Sequence, residues 1–294
     1  MIKMKILITG SSGLLGSDIA FTLEKNNFKI IRQCRSPRNG FAAADITTPE
    51  GIAAIAGLEW DALIHCAALK DPDKCENEQD ATFRTNVSAT ENLARLAEAR
   101  NAKFIYISTD YVFPGTNPPY SEEDVTCPVN FYGKSKLEGE EKVSSICKDY
   151  RILRVPILYG IRAGLEHSAL LHTPVSVLLS GKECRMEDSI VRYPTYTGDV
   201  ADAIILLLRE GCPGIYHYSG EDKLTKLGIC RVLAEMSGLK MDNIIRMEKP
   251  PEGETARPHD SHLKTDKIMS LGMKTPLPFR ERLEILRKDG FLKI

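Results

Sequence analysis

The stretch that most restricts the fold is an apolar run, Ile6-Leu7-Ile8, that leads directly into Gly10-Ser11-Ser12-Gly13-Leu14-Leu15-Gly16 and then into helix-period sequence. A strand apolar on both faces needs helices on both sides of its sheet, as in parallel α/β folds. In such a turn Gly10 permits the tight bend, Gly13 lets the backbone approach a pyrophosphate, and Gly16 lets the helix pack close to the sheet. The helix start at Ser12, Leu14 and Leu15 then aims unsatisfied N–H groups at the anion. The spacing is GxxGxxG, a variant of the more usual GxGxxG.

The rhythm continues along the chain. Strands are predicted at Lys3 to Thr9, Phe28 to Gln33, Ala42 to Ile46, Asp61 to Ala67, Lys103 to Thr109 and Arg151 to Tyr159. Helices are predicted at Leu14 to Asn26, from Thr48-Pro49-Glu50 onward, at Asn77 to Arg100 and at Asn130 to Lys148. Six βα alternations joined by right-handed crossovers give a doubly wound parallel sheet, a Rossmann fold. After Gly160 the pattern breaks up. A helix is predicted at Asp199 to Glu210, and helices near Leu165 to Leu179 and Leu224 to Ser237, a strand at Gly214 to Ser219, a loop from Pro250 to Asp260 and two short closing helices form a small C-terminal substrate-binding cap. The predicted division is 1–160 for the dinucleotide domain, with 196–211 returning to it, and 161–195 plus 212–294 for the cap.

A net charge of −1 gives no electrostatic case for nucleic acid or an anionic membrane surface. No apolar run approaches the roughly 18 residues of a membrane span. The eight cysteines are scattered without a CxxC pair, so buried free thiols in a reducing cytoplasm are expected. His259 and His262 lack supporting ligands, and no metal site is expected.

Two further groups carry chemistry. The second strand ends in Arg32-Gln33-Cys34-Arg35-Ser36-Pro37-Arg38, with no carboxylate for ribose hydroxyls. A guanidinium there, Arg35 first, suits a 2′-phosphate, so NADP(H) is preferred and NAD is the second choice. Asp45 and Ile46 lie where adenine would pack, and Cys66-Ala67-Ala68 supply small residues beside the nicotinamide ribose. Later, Tyr132 and Lys136 stand one helical turn apart, after a strand ending Ser108-Thr109-Asp110. An ammonium beneath the phenol is expected to bring its pKa toward the working range of a proton donor.

Together the glycine turn, Ala67-Ala68, Asn86, Ser108-Thr109-Asp110 and Tyr132-x-x-x-Lys136 resemble the extended short-chain dehydrogenase/reductase family over nearly the whole chain. Ser108 to Gly115, Tyr132 to Glu140 and Arg257-Pro258-x-x-Ser261 look like its dTDP-4-dehydrorhamnose reductase branch. That resemblance implies reduction of a nucleotide-linked 4-keto-6-deoxy sugar by hydride from NADPH. Tyr132 would give the proton to the C4 oxygen, Lys136 would hold the nicotinamide ribose, Thr109 would bond the substrate oxygen and Asp110 would belong to the same site. Asn86 would stand with the cofactor residues.

Ile64 to Ala68, Gly115 to Tyr120 and Arg154 to Gly160 are also similar to another branch, the regulatory β subunit of methionine adenosyltransferase. This branch implies a non-catalytic NADP-binding partner of that enzyme's catalytic subunit. Val155-Pro156 and Arg192-Tyr193 depart from the reductase pattern, whereas the end at Phe291-Leu292-Lys293-Ile294 departs from the longer aromatic tail of the regulatory branch. For the sugar, Arg192, Tyr193, His217 and Arg257 are the candidates by their place in the cap. A homodimer is the usual expectation, with the helix Asn77 to Arg100 available as its interface.

Overall fold

The computed structural model describes residues 4–250 and 253–290. Lys3, residues 251 and 252 of the expected loop, and the terminal Phe291 to Ile294 lie outside the described residues. The chain runs β1 (Lys5–Thr9), α1 (Leu14–Lys25), β2 (Lys29–Cys34), β3 (Ala42–Ala43), α2 (Pro49–Ala56), β4 (Ala62–His65), α3 (Pro72–Asn77), α4 (Gln79–Phe83), α5 (Ala89–Ala99) and β5 (Lys103–Thr109). It continues with α6 (Phe131–Ile146), β6 (Tyr150–Val155), β7 (Leu158–Tyr159), α7 (Ala169–Ser180), β8 (Cys184–Glu187), β9 (Thr195–Tyr196) and α8 (Thr197–Arg209). The last elements are β10 (Gly214–His217), α9 (Lys226–Ser237), β11 (Ile244–Met247), α10 (Asp266–Ser270) and α11 (Phe279–Lys288).

Seven parallel strands form the central sheet in the order β10-β6-β5-β4-β1-β2-β3. Period-2 alternation divides each strand between two cores. Ile6 and Ile8 pack with Ile19, Leu23 and Ile204 of α1 and α8. Leu7 packs on the opposite face with Ile55, Leu93 and Val143 of α2, α5 and α6. A third cluster, built on Leu171, Leu233 and Leu283, is the core of the cap. The strand order reverses between β1 and β4, which leaves a crevice at their carboxyl ends where ligands of open α/β sheets bind.

Three expectations change. The single helix from Asn77 to Arg100 is broken: Glu78 leaves helical geometry (φ −120°, ψ 53°), and Arg84–Ser88 forms a π-turn between α4 and α5. The sixth strand is interrupted at Pro156, which has no N–H to continue a ladder, so it divides into β6 and β7. The segment 212–294 is not wholly cap. Strand β10 pairs in parallel with β6 at the edge of the central sheet, and Ile268 of α10 joins the core beneath it. The strand expected at Gly214 to Ser219 is present as β10, but its pairing with β6 makes it the seventh strand of the central sheet instead of part of the cap. Among the described residues no helix is long and apolar enough to cross a membrane.

Candidate functional site

At the crevice, Gly10 has φ +64°, and a Cβ there would lie 2.9 Å from the backbone N and Cα of Ala67. The glycine is therefore what lets the turn after β1 touch the segment after β4, which holds the half-buried Cys66, Ala67 and Ala68. Gly13 begins α1 without a side-chain acceptor, so no side chain claims the first-turn N–H groups at Leu14, Leu15 and Gly16. Ser12 is half-buried at the tip of this turn. The cradle fits a dinucleotide pyrophosphate: glycine where a side chain would fill it, and free donors at a helix start.

Gln33 holds this turn, a role that no motif in the sequence signals. Its Oε1 accepts from Gly10 N (3.1 Å), its carbonyl accepts from Ser11 Oγ (2.8 Å), and its Nε2 donates to Ala44 O (2.6 Å). His65 braces the other side. Its ring nitrogens lie 2.7 Å from Thr9 Oγ1 and 3.0 Å from Thr90 Oγ1, and Thr90 in turn donates to Asn86 O. Burial pushes this imidazole down to about 3, with Lys136 adding to the effect, so it is neutral at physiological pH.

At the end of β2 the three arginines separate. Arg32 pairs with Glu24 at 2.6 Å and Arg38 lies 5.1 Å over the Phe41 ring, whereas Arg35 is exposed beside Asp45. The Thr47 hydroxyl first, then its N–H, holds the Asp45 carboxyl below the usual carboxylate range. Ile46 is buried.

On the other side, Asn130 caps α6 by accepting from Gly133 N at 2.8 Å. Tyr132, Lys136 and Glu140 then fall on successive turns of one face. Burial pushes the Tyr132 phenol above its ordinary value, and the Thr109 hydroxyl is the first group opposing it; Asp110, Cys75 and Tyr111 raise it further. Lys136 is not among these groups. Its Nζ sits deeper, 3.9 Å from the centroid of the Tyr106 ring, where burial brings it down to about 7 against the pull of Glu140. The expected lowering of the Tyr132 pKa by Lys136 is thus replaced by a protonated phenol beside Thr109. Helical spacing fixed a shared face but not how deep each side chain reaches.

Thr109 donates to Asp110 Oδ1 at 3.1 Å, and Asp110 Oδ2 accepts from Ser261 Oγ at 2.5 Å, tying β5 to the cap segment. Burial raises the Asp110 carboxyl to about 6. Asn86 lies in the π-turn with its amide committed to protein: it accepts from Leu69 N and donates to Leu69 O and Ser135 Oγ, each at 2.9 Å. It holds the loop after β4 against α6.

The cap residues divide. Arg192 donates to Glu187 Oε2 (3.1 Å) and Ile190 O (2.9 Å), and Arg257 reaches Asp73 across the cleft at 2.5 Å. Both guanidinium groups act on the Tyr111 phenol, whose ring meets Tyr132 edge-on at 5.8 Å. Lys226 lies near both, its ammonium lowered by burial first and then by the two arginines. Tyr193 stacks on His262 at 4.1 Å and donates to Asp260 Oδ1. His217 is elsewhere. It is fully buried on β10, 3.4 Å from Arg154 Nη1 and edge-on to Phe113, and burial brings it down to about 3. Its assignment to the cap fails because β10 belongs to the central sheet.

A parallel sheet with a glycine turn at its strand-order reversal, and a tyrosine–lysine helix beside it, defines a Rossmann protein of the extended short-chain dehydrogenase/reductase class. The chain belongs to the family described as RmlD substrate binding domain, whose model matches residues 4–289. It is 36% identical over 284 residues to methionine adenosyltransferase 2 subunit beta of Pongo abelii, covering 94% of this chain and 85% of that one. It is 32% identical to a protein of Haloferax volcanii described as a probable low-salt glycan biosynthesis reductase, covering 80% of this chain and 81% of the relative. Among solved structures it is similar to dTDP-4-dehydrorhamnose reductase of Bacillus anthracis in complex with NADP. That likeness has a TM-score of 0.86 and 26% identity, with 98% of this chain and all (100%) of the other covered.

Proposed function

We propose that this protein is an NADP-dependent reductase of a nucleotide-linked 4-keto-6-deoxy sugar. The observation that carries the reading is Tyr132 of α6 beside Thr109 at the end of β5, with its ring edge-on to Tyr111, the phenol that Arg192 and Arg257 act on. The bound cofactor would supply a hydride to a carbonyl carbon. The protein's part is to orient that carbonyl and to protonate its oxygen.

Thr109 is placed to hydrogen-bond the oxygen, and Tyr132 to donate its proton. A raised phenol pKa does not oppose this role, because the alkoxide that develops is far more basic than a phenolate. Burial keeps the proton on Tyr132 until the alkoxide forms. Lys136 and the free N–H groups after Gly13 suit the cofactor's ribose and pyrophosphate, and Arg35 suits a 2′-phosphate. Arg192, Lys226 and Arg257 suit the diphosphate of the sugar nucleotide. The likeness to a reductase crystallised with NADP supports the same reading.

The decisive assay mixes purified protein with NADPH and dTDP-4-keto-6-deoxy-mannose and follows loss of nicotinamide absorbance. Turnover is expected, and Tyr132→Phe should lower it by about 10²–10⁴-fold while leaving NADPH affinity nearly intact. Unchanged turnover in that variant would remove Tyr132 from the mechanism. A second reading, a regulatory NADP-binding partner of methionine adenosyltransferase, is favoured by the 36% identity to such a subunit across 94% of the chain. Val155-Pro156 in place of the reductase pattern points the same way. Absence of turnover together with co-purification of a methionine adenosyltransferase would establish that reading and sink the reductase.

A further inference from the structure

Below Lys136, one more turn along α6, a buried charge stands that the proposed chemistry does not use. Glu140 Oε1 accepts from Ser108 Oγ at 2.5 Å and from Arg154 Nε at 2.9 Å, while Oε2 accepts from Arg154 Nη2 at 2.7 Å. The side chains of Arg154 and Glu140 are only 3% and 4% exposed. A buried ion pair is a weak source of net stability, because desolvation offsets most of its attraction. Its placement therefore calls for another account.

We propose that Glu140 is a positioning residue of this site, an internal counter-ion for Lys136 that also seats α6 on β5. Three successive turns of the helix meet β5: Tyr132 faces Thr109, Lys136 covers the Tyr106 ring, and Glu140 binds Ser108. Gly139 makes the approach possible, since a Cβ there would lie 2.3 Å from Tyr106 Oη. The bidentate grip of Arg154 fixes the carboxylate in one orientation.

Lys136 is faced by Glu140 from α6, by His65 and Cys66 from β4 and its exit, and by Tyr106 from β5. His65 is neutral above about 3 and the Cys66 thiol is held up to about 12, so neither carries charge near neutrality. Glu140 is then the anion that opposes the cost of burying the ammonium. On the reading that Lys136 contacts the cofactor, Glu140 sets how far up the pH scale that contact persists.

The direct test needs no cofactor. Lysine labelled with ¹³C at Cε is titrated by NMR in the full-length protein, with the Lys136 signal identified by its loss in Lys136→Arg. The midpoint should fall by about one unit or more in Glu140→Gln, which keeps the side chain's shape and one acceptor oxygen and removes the charge. Ser108→Ala, which removes a hydrogen bond but no charge, should leave it within a few tenths of a unit. If Glu140→Gln does not fold, the double variant Glu140→Met/Arg154→Met removes both charges together and should show a smaller fall in the same direction, because loss of the more distant Arg154 cation offsets part of the loss of the anion.

An unchanged midpoint in whichever folded variant is measured overturns the proposal, as does an equal shift in Ser108→Ala. As a consequence for binding, calorimetry at pH 7.5 should show NADP⁺ held about five- to tenfold more weakly by Glu140→Gln than by the unaltered protein. If the unaltered protein binds no NADP⁺, the cofactor reading fails, while the NMR titration still decides the role of Glu140.

Discussion

The glycine-turn end of the crevice holds its backbone with neutral groups. Gln33, Ser11 and the chain Thr9–His65–Thr90 contribute no net charge within hydrogen-bond reach of the α1 start. The tyrosine-helix end relies instead on the ion pair of Glu140 with Arg154 under a buried lysine. The contrast follows from what each end is shaped to meet. A turn that receives an anion through N–H groups is weakened by any nearby carboxylate. A helix that must keep an ammonium charged away from water needs a fixed anion close by.

The comparison can be broken most sharply at the charged end. Arg154→Met would strip the buried Glu140 carboxylate of its bidentate partner, and should lower stability to chemical denaturation by about 3–5 kcal/mol, with most of it restored in Glu140→Met/Arg154→Met. A loss below about 1 kcal/mol would mean the pair is solvated or dispensable. At the neutral end, Gln33→Ala should lower stability by about 1–3 kcal/mol by orphaning Gly10 N and Ala44 O. This loss should be the same from pH 6 to pH 9, and a pH-dependent loss would contradict the neutral character of that end.

Asp110 sharpens the comparison through pH. Its folded pKa of about 6 lies above the ordinary 3.8, so the folded state holds the proton more tightly than the unfolded chain. The stability this contributes is complete below pH 3.8 and is lost as pH rises through about 6. Asp110→Asn should therefore stabilise the protein by about 1–2 kcal/mol at pH 7.5, with no gain near pH 3.5. A gain that grows toward acid pH would refute the sign. Smallest is Arg35→Ala, which should weaken NADPH about tenfold and NADH by less than twofold. Equal weakening of the two would count against a 2′-phosphate contact.

The parts legible in sequence were those fixed by local rules. The turn from Gly10 to Gly16 and the strand ending at Thr109 stand where apolar pattern and glycine spacing put them. The break within Asn77 to Arg100 was not legible, because the π-turn is set by Asn86 reaching Leu69 and Ser135, contacts remote in the chain. Gln33 looked like one polar residue among arginines, although its buried amide joins three segments. His217 was drawn to the cap by position alone, and strand pairing with β6 removes it. Lys226 carried no motif, and only the meeting of α9 with the Arg192 and Arg257 segments brings it near those arginines.

By itself, the sequence determined the parallel α/β class, the cradle at the first βα turn, and the pairing of Tyr132 with Lys136 on one helix face. Each depends on residues within a few positions of one another, where backbone sterics and helical period decide the outcome. The tertiary structure decided how deep Lys136 sits, which anion faces it, and which cap residue, Ser261, ties down Asp110. Those outcomes depend on burial and on charges from strands and helices far apart in the chain. No local pattern encodes the desolvation that sets them.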